Sequence, residues 1–137
     1  LARRYLYGEP GSASVTEFIS NRATQVSISW IARVEFASIL ARRRREQLDD
    51  AAAQRTVWQL FENHCRFEYG LTPVTRNVID IATSVASRSP IRTLDAIHVA
   101  TAMVTHEEIA GVEFWTADRR QAGAAEAEGL TVVLVGG

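Results

Sequence analysis

Cysteine is almost absent from this chain of 137 residues. Cys65 stands alone, so no disulfide can form within the chain and no cysteine-rich zinc site can assemble. A single thiol also suits a reducing cytosol. No apolar run approaches the ~20 residues of a membrane-spanning helix, so a cytoplasmic protein without a membrane partner is expected. Charge of one sign is lacking too. Fifteen basic and sixteen acidic residues leave a formal net charge of -1, so the whole-molecule field will not draw in nucleic acid. Any such contact has to use a local basic patch. Repeats, low-complexity stretches and linkers are missing. What is there, 47% hydrophobic and 23% charged residues, is the composition of a folded protein rather than a disordered one. At roughly 100–200 residues per domain, 1–137 reads as one domain with a single core.

The chain opens Leu1-Ala2-Arg3-Arg4-Tyr5-Leu6 without Met, and no Ser, Thr, Asp or Asn precedes Leu1 as a cap. The sequence is therefore expected to begin inside a helix, N-terminally incomplete, with any targeting segment left open. Gly8-Glu9-Pro10-Gly11 is a turn, and Pro10 or Ser12 opens a helix to about Asn21. Gln25 to Ser29 alternates as a strand does. Helices follow from Ile31 to Arg45, with Val34 and Phe36 among its apolar positions, and from Asp49 or Asp50 to Phe67. Tyr69 to Val74 is a short extended piece. Thr75 caps a helix that stops at Ser89-Pro90, and Thr93 caps another through about Glu107. Val112 to Thr116 is a strand, Asp118 to Gly129 a helix, and Thr131 to Val135 a strand. Helices alternating with strands imply an α/β fold, a mainly parallel sheet flanked by helices. Such a fold normally has a strand before its first helix, and that strand is absent from this sequence.

Two acids stand where apolar residues are expected. Glu35 shares a helical stripe with Ile31 and Ile39, and Asp95 shares one with Ile91, Val99 and Ala102. A buried carboxylate is costly unless it is paired or binds a metal. Taken singly, each is also explained by a salt bridge or by a place at the stripe's edge. Asp118 follows a strand at the edge where parallel sheets bind ligands, yet Asp118-Arg119-Arg120-Gln121 is equally a capping box. Thr116 is a hydroxyl beside a metal-bound water or a plain strand residue. Three separated carboxylates suit Mg²⁺ or Mn²⁺ better than zinc.

The stretch Thr93-Leu94-Asp95-Ala96-Ile97-His98-Val99-Ala100-Thr101-Ala102 closely resembles the LDAxHxATA helix of PIN-domain ribonucleases, specifically VapC toxins of bacterial toxin–antitoxin pairs. Leu1 to Ser12 resembles the family's first helix and turn, and Ser29 to Leu40 its Glu-bearing helix. Thr116-Ala117-Asp118 to Gly129-Leu130 resembles its last acid, helix and strand entry. The resemblance implies a metal-dependent endoribonuclease with Glu35, Asp95 and Asp118 as catalytic metal ligands and Thr116 as a supporting hydroxyl. It implies Mg²⁺ or Mn²⁺ as cofactor, RNA as substrate, a VapB-type antitoxin as inhibitor, and a homodimer. The family's first acid lies four positions before the leucine matching Leu1, so it is not in this sequence. The chain as written is expected to bind metal poorly and cleave little.

Arg42 to Arg45 read as a solvated helix end or an RNA contact, and Arg3, Arg4, Arg92 and Arg119 as scattered phosphate contacts. His98 is three residues from Asp95, within reach of the site, but reads as a packed helix residue. His64 and Cys65 read as core-edge packing. Trp30 and Trp115 read as core residues, with base stacking the alternative. Two other functions stand beside the toxin: a degenerate PIN domain that binds RNA or protein without cutting, and a response-regulator-like α/β domain.

Overall fold

A computed structural model describes residues 1–6, 8–21 and 24–136. Tyr7, in the segment matched to the family's first helix and turn, lies outside the described residues. The expected helix at the start is one 3-10 turn, Ala2–Arg4, followed by α1, Ser12–Ser20. Then come β1 (Val26–Ser29), α2 (Ile31–Arg45), α3 (Ala51–Phe67) and β2 (Tyr69–Thr72). The second half holds α4 (Arg76–Arg88), α5 (Thr93–Glu108), β3 (Glu113–Thr116), α6 (Arg119–Ala127) and β4 (Thr131–Leu134). The architecture is α/β, as expected. Its described strands form two separate parallel pairs, with Val26 opposite Tyr69 in one and Glu113 opposite Thr131 in the other.

Local chemistry explains most boundaries. Asp50 and Thr75 cap α3 and α4 through their side chains, which accept from the backbone N–H three residues on. Ser89, before Pro90, is extended and ends α4. Gly129, at φ 84°, closes α6 in the left-handed conformation that glycine adopts without a steric cost. Thr93 departs from expectation. It is the first residue of α5, and the cap position is Arg92, which makes no side-chain capping bond.

Each strand pair has its own packing. Tyr5, Phe36, Leu40, Phe61, Cys65 and Tyr69 cluster beside β1 and β2, where Tyr5 meets Phe61 edge to face. His64 and Cys65 are both buried there. A second cluster of Val85, Val99, Phe114, Ala124, Ala125 and Leu130 joins α4, α5 and α6 to β3. Ala82, Ala96 and Ala100 let α4 and α5 approach closely. Because α5 packs on β1 as well as on α4 and α6, it ties the two halves together.

Candidate active site

The acids come from three helices: α2 and α6 begin just after the carboxyl ends of β1 and β3, whereas α5 follows α4. α2 begins two residues after β1, and Glu35 lies in its second turn. The inward stripe of α2 is Ala32, Phe36 and Leu40, so Glu35 sits half-buried at its edge rather than within it. Val34, expected to be apolar packing, points to solvent with 73% of its surface exposed. Asp95 is in the first turn of α5, where a carboxylate also complements the helix dipole. Asp118 follows β3 and begins α6.

Asp118 fulfils the capping expectation: its Oδ1 accepts from the backbone N–H of Arg120 at 2.7 Å and of Gln121 at 3.1 Å. The return half of the box is different. Gln121 does not reach the Asp118 N–H, which donates instead to Thr116 Oγ1 at 3.1 Å. The buried Thr116 hydroxyl donates to Gln121 Oε1 at 2.5 Å. Gln121 Nε2 in turn lies 3.4 Å from both Asp95 Oδ1 and the Asp95 carbonyl oxygen. Thr116 and Asp118 are thus joined to Asp95 through Gln121, a residue that sequence reasoning saw only as the fourth position of a capping box.

The acids act on one another electrostatically. Burial, then the Asp118 charge and the Glu35 charge, raise the Asp95 carboxyl above its ordinary 3.8, with His98 and Arg92 acting against them. Glu35 is hydrogen-bonded through Oε1 to His98 Nε2. His98 is therefore more than a packed helix residue; its spacing of three from Asp95 was the signal.

Arg92, Asp95, Ala117, Asp118, Arg119 and Arg120 line an open cleft of about 410 Å³. Glu35 does not line it. Arg92, Arg119 and Arg120 are exposed and make no ion pair among the described residues. The other arginines named from sequence lie elsewhere. Arg3 pairs with Glu9, while Arg4 pairs with Glu68 and donates to Tyr69. Arg43 pairs with Asp49 at 2.5 Å, and Arg42, Arg44 and Arg45 face solvent. Trp30, read as a core residue, is 46% exposed under the Arg33 guanidinium. Trp115 is half-buried and stacks on Phe18 at 4.0 Å.

The donor set is hard carboxylate oxygen, suited to a divalent cation. It is also open. Among the described residues no three His, Cys, Asp or Glu side chains close around one point. Mutual repulsion at Asp95 is what a divalent cation would relieve.

A family model described as PIN domain matches residues 3–127, from the opening turn to the end of α6, and so takes in all three acids and the cleft. No curated protein matches the chain. Proteins with this domain are usually nucleases and generally use divalent metals. By sequence match and by fold, this chain belongs to the PIN-domain family.

Proposed function

We propose that the protein is a metal-dependent endoribonuclease of the VapC toxin kind, a homodimer that cuts RNA phosphodiester bonds and is held in check by a VapB-type antitoxin. The observation that carries this reading is the cleft itself, where Asp95 and Asp118 stand among Arg92, Arg119 and Arg120 and the Asp95 carboxyl is raised, first by burial and then by the Asp118 and Glu35 charges. Acids alone would repel a nucleic acid, and arginines alone would only bind it. Asp95 and Asp118 would hold Mg²⁺ or Mn²⁺ through their oxygens, with the Glu35 charge in support, and Arg92, Arg119 and Arg120 would take phosphates of the RNA. A cation held there supplies charge stabilisation at the phosphate and an acidified water. Thr116 braces the arrangement through Gln121. The test is cleavage of single-stranded and structured RNA by the full chain with Mg²⁺ or Mn²⁺, and with EDTA. Metal-dependent cutting that Asp95→Asn abolishes supports the reading. No metal-dependent cutting, or cutting that Asp95→Asn leaves intact, overturns it.

A second reading, a PIN domain that binds RNA or protein without cutting, is favoured by the open donor set and by the use of Asp118 Oδ1 as a helix cap. It requires RNA or partner binding that survives EDTA and survives neutralising Glu35 and Asp95 together.

A further inference from the structure

Glu35 and His98 are 63 residues apart, on α2 and α5, and theirs is the one side-chain hydrogen bond between those helices among the described residues. Both side chains are mostly but not wholly covered, with 29% of Glu35 and 22% of His98 exposed. An ionised carboxylate only accepts, so the contact requires a proton on His98 Nε2, directed at Glu35 Oε1. Glu35 Oε2 has no hydrogen-bond partner among the described residues. The bond thus restrains a flexible carboxylate by one oxygen and leaves the other for a further partner. On α5, Asp95 and His98 share a side of the helix at i, i+3, so the same turn that presents one acid also restrains the second. Val99 and Ala100, the next residues, are fully buried and fix that turn against the core.

We propose that His98 is a positioning residue for metal binding: it holds the Glu35 carboxylate in the orientation from which its charge supports a divalent cation at the Asp95–Asp118 cleft. The inference rests on the metal-dependent reading above and assigns a role to a side chain that does not touch the cation. Hydrogen bonds behind groups that ligate a metal typically matter about 10–100-fold in metal affinity; Glu35 does not line the cleft and acts through its charge, so a loss at the low end of that range is expected here.

The experiment measures Mn²⁺ affinity directly, by the spin-resonance signal of the free ion, on the full chain and on His98→Leu, His98→Gln, Glu35→Ala and the double variant His98→Leu/Glu35→Ala. Thermal unfolding of each is followed in parallel. Leucine keeps apolar bulk but cannot donate, whereas glutamine keeps a donor. The expected result is an affinity about tenfold or more lower in His98→Leu, substantially restored in His98→Gln. On the Glu35→Ala background, His98→Leu should have no further effect, because the pair acts as a unit. Affinity in His98→Leu within about twofold of the parent overturns the positioning role and leaves the nuclease reading standing. A loss that glutamine does not restore, or that persists without Glu35, also overturns it, since packing alone would then explain the effect. If His98→Leu does not fold, the comparison of His98→Gln with the parent and with Glu35→Ala decides. Glutamine binding Mn²⁺ as weakly as Glu35→Ala overturns the proposal, and glutamine close to the parent supports it. A parent chain that binds no Mn²⁺ overturns the metal reading itself, and the positioning role with it.

Discussion

Thr116 Oγ1 gives its proton to Gln121 Oε1 at 2.5 Å, and both side chains are buried, each with 8% of the residue exposed. The same hydroxyl oxygen accepts the Asp118 N–H, so one threonine joins the end of β3, the cap of α6 and the glutamine that faces Asp95. A bond in this position matters chiefly through what its loss leaves behind. Gln121→Ala strands a buried hydroxyl donor and should destabilise the fold by about 1–3 kcal/mol. Thr116→Val removes that donor but strands the Asp118 N–H. The two losses should fall short of additive by about 0.5–3 kcal/mol, read from urea unfolding of the two single variants and the double. Additive losses would mean that the pair is not energetically coupled.

Asp95 makes a pH signature. Its carboxyl is raised above 3.8 by burial and by Asp118 and Glu35, so the folded chain holds this proton more tightly than the unfolded one. Stability from this group is therefore fully present below the unfolded value and is lost as pH rises through the folded one. Asp95→Asn should raise the melting temperature at pH 7, and the gain should shrink as pH falls towards 4. A divalent cation counters the same repulsion. Adding Mg²⁺ should stabilise the parent at pH 7 and do less for Asp95→Asn.

His64 predicts the opposite slope. Burial, then the Arg4 charge, lowers its pKa below 6.5, while Glu68, with Oε1 3.8 Å from Nε2, acts against them. Neutral His64 shares a hydrogen bond between Nδ1 and the Tyr5 hydroxyl at 2.7 Å, and Tyr5 shares a second bond of 2.6 Å with Tyr69. With the folded pKa depressed, the unfolded chain takes the proton first, so stability falls as pH drops below 6.5. Melting temperatures between pH 7 and pH 5 should fall less steeply in His64→Phe than in the parent. Tyr5→Phe, which leaves buried polar groups without their shared partner, should cost about 1–3 kcal/mol at pH 7.

The three cleft arginines predict a salt effect. If Arg92, Arg119 and Arg120 each meet a phosphate, replacing all three with glutamine should weaken single-stranded RNA binding. It should also make log K against log salt shallower by about 2, at roughly 0.7 per contact. Titration of a labelled RNA at several salt concentrations measures this. Replacing the exposed Arg42, Arg44 and Arg45 together serves as the comparison, and an equal change there would relocate the binding face.

Much of this molecule was decided locally, and was legible for that reason. α2 has the bounds its sequence suggests, and the other main helices and strands lie within a few residues of theirs, because apolar spacing, Asp50, Thr75, Pro90 and Gly129 act within a turn or two of chain. Thr93 misled because Thr is a favoured cap by type, while the boundary fell one residue earlier, at Arg92, a shift that residue preference alone does not resolve. The LDAIHVATA stretch also pointed to the family, because its alanines, acid and histidine all lie within one helix and can be compared with a motif residue by residue.

Tertiary structure decided what the polar side chains do. No spacing rule joins His98 to Glu35 across 63 residues, or Gln121 to Asp95 across 26; those contacts exist because α5 packs on α6 and β1. Sequence named Arg3, Arg4, Arg92 and Arg119 alike, and only the fold put Arg92, Arg119 and Arg120 around Asp95 and Asp118 while pairing Arg3 and Arg4 elsewhere. Trp30 shows the same limit, being apolar by type and exposed by position. A backbone boundary depends on neighbours within about four residues. A charge or a hydrogen bond acts through space, and its partner is chosen by how helices and strands pack.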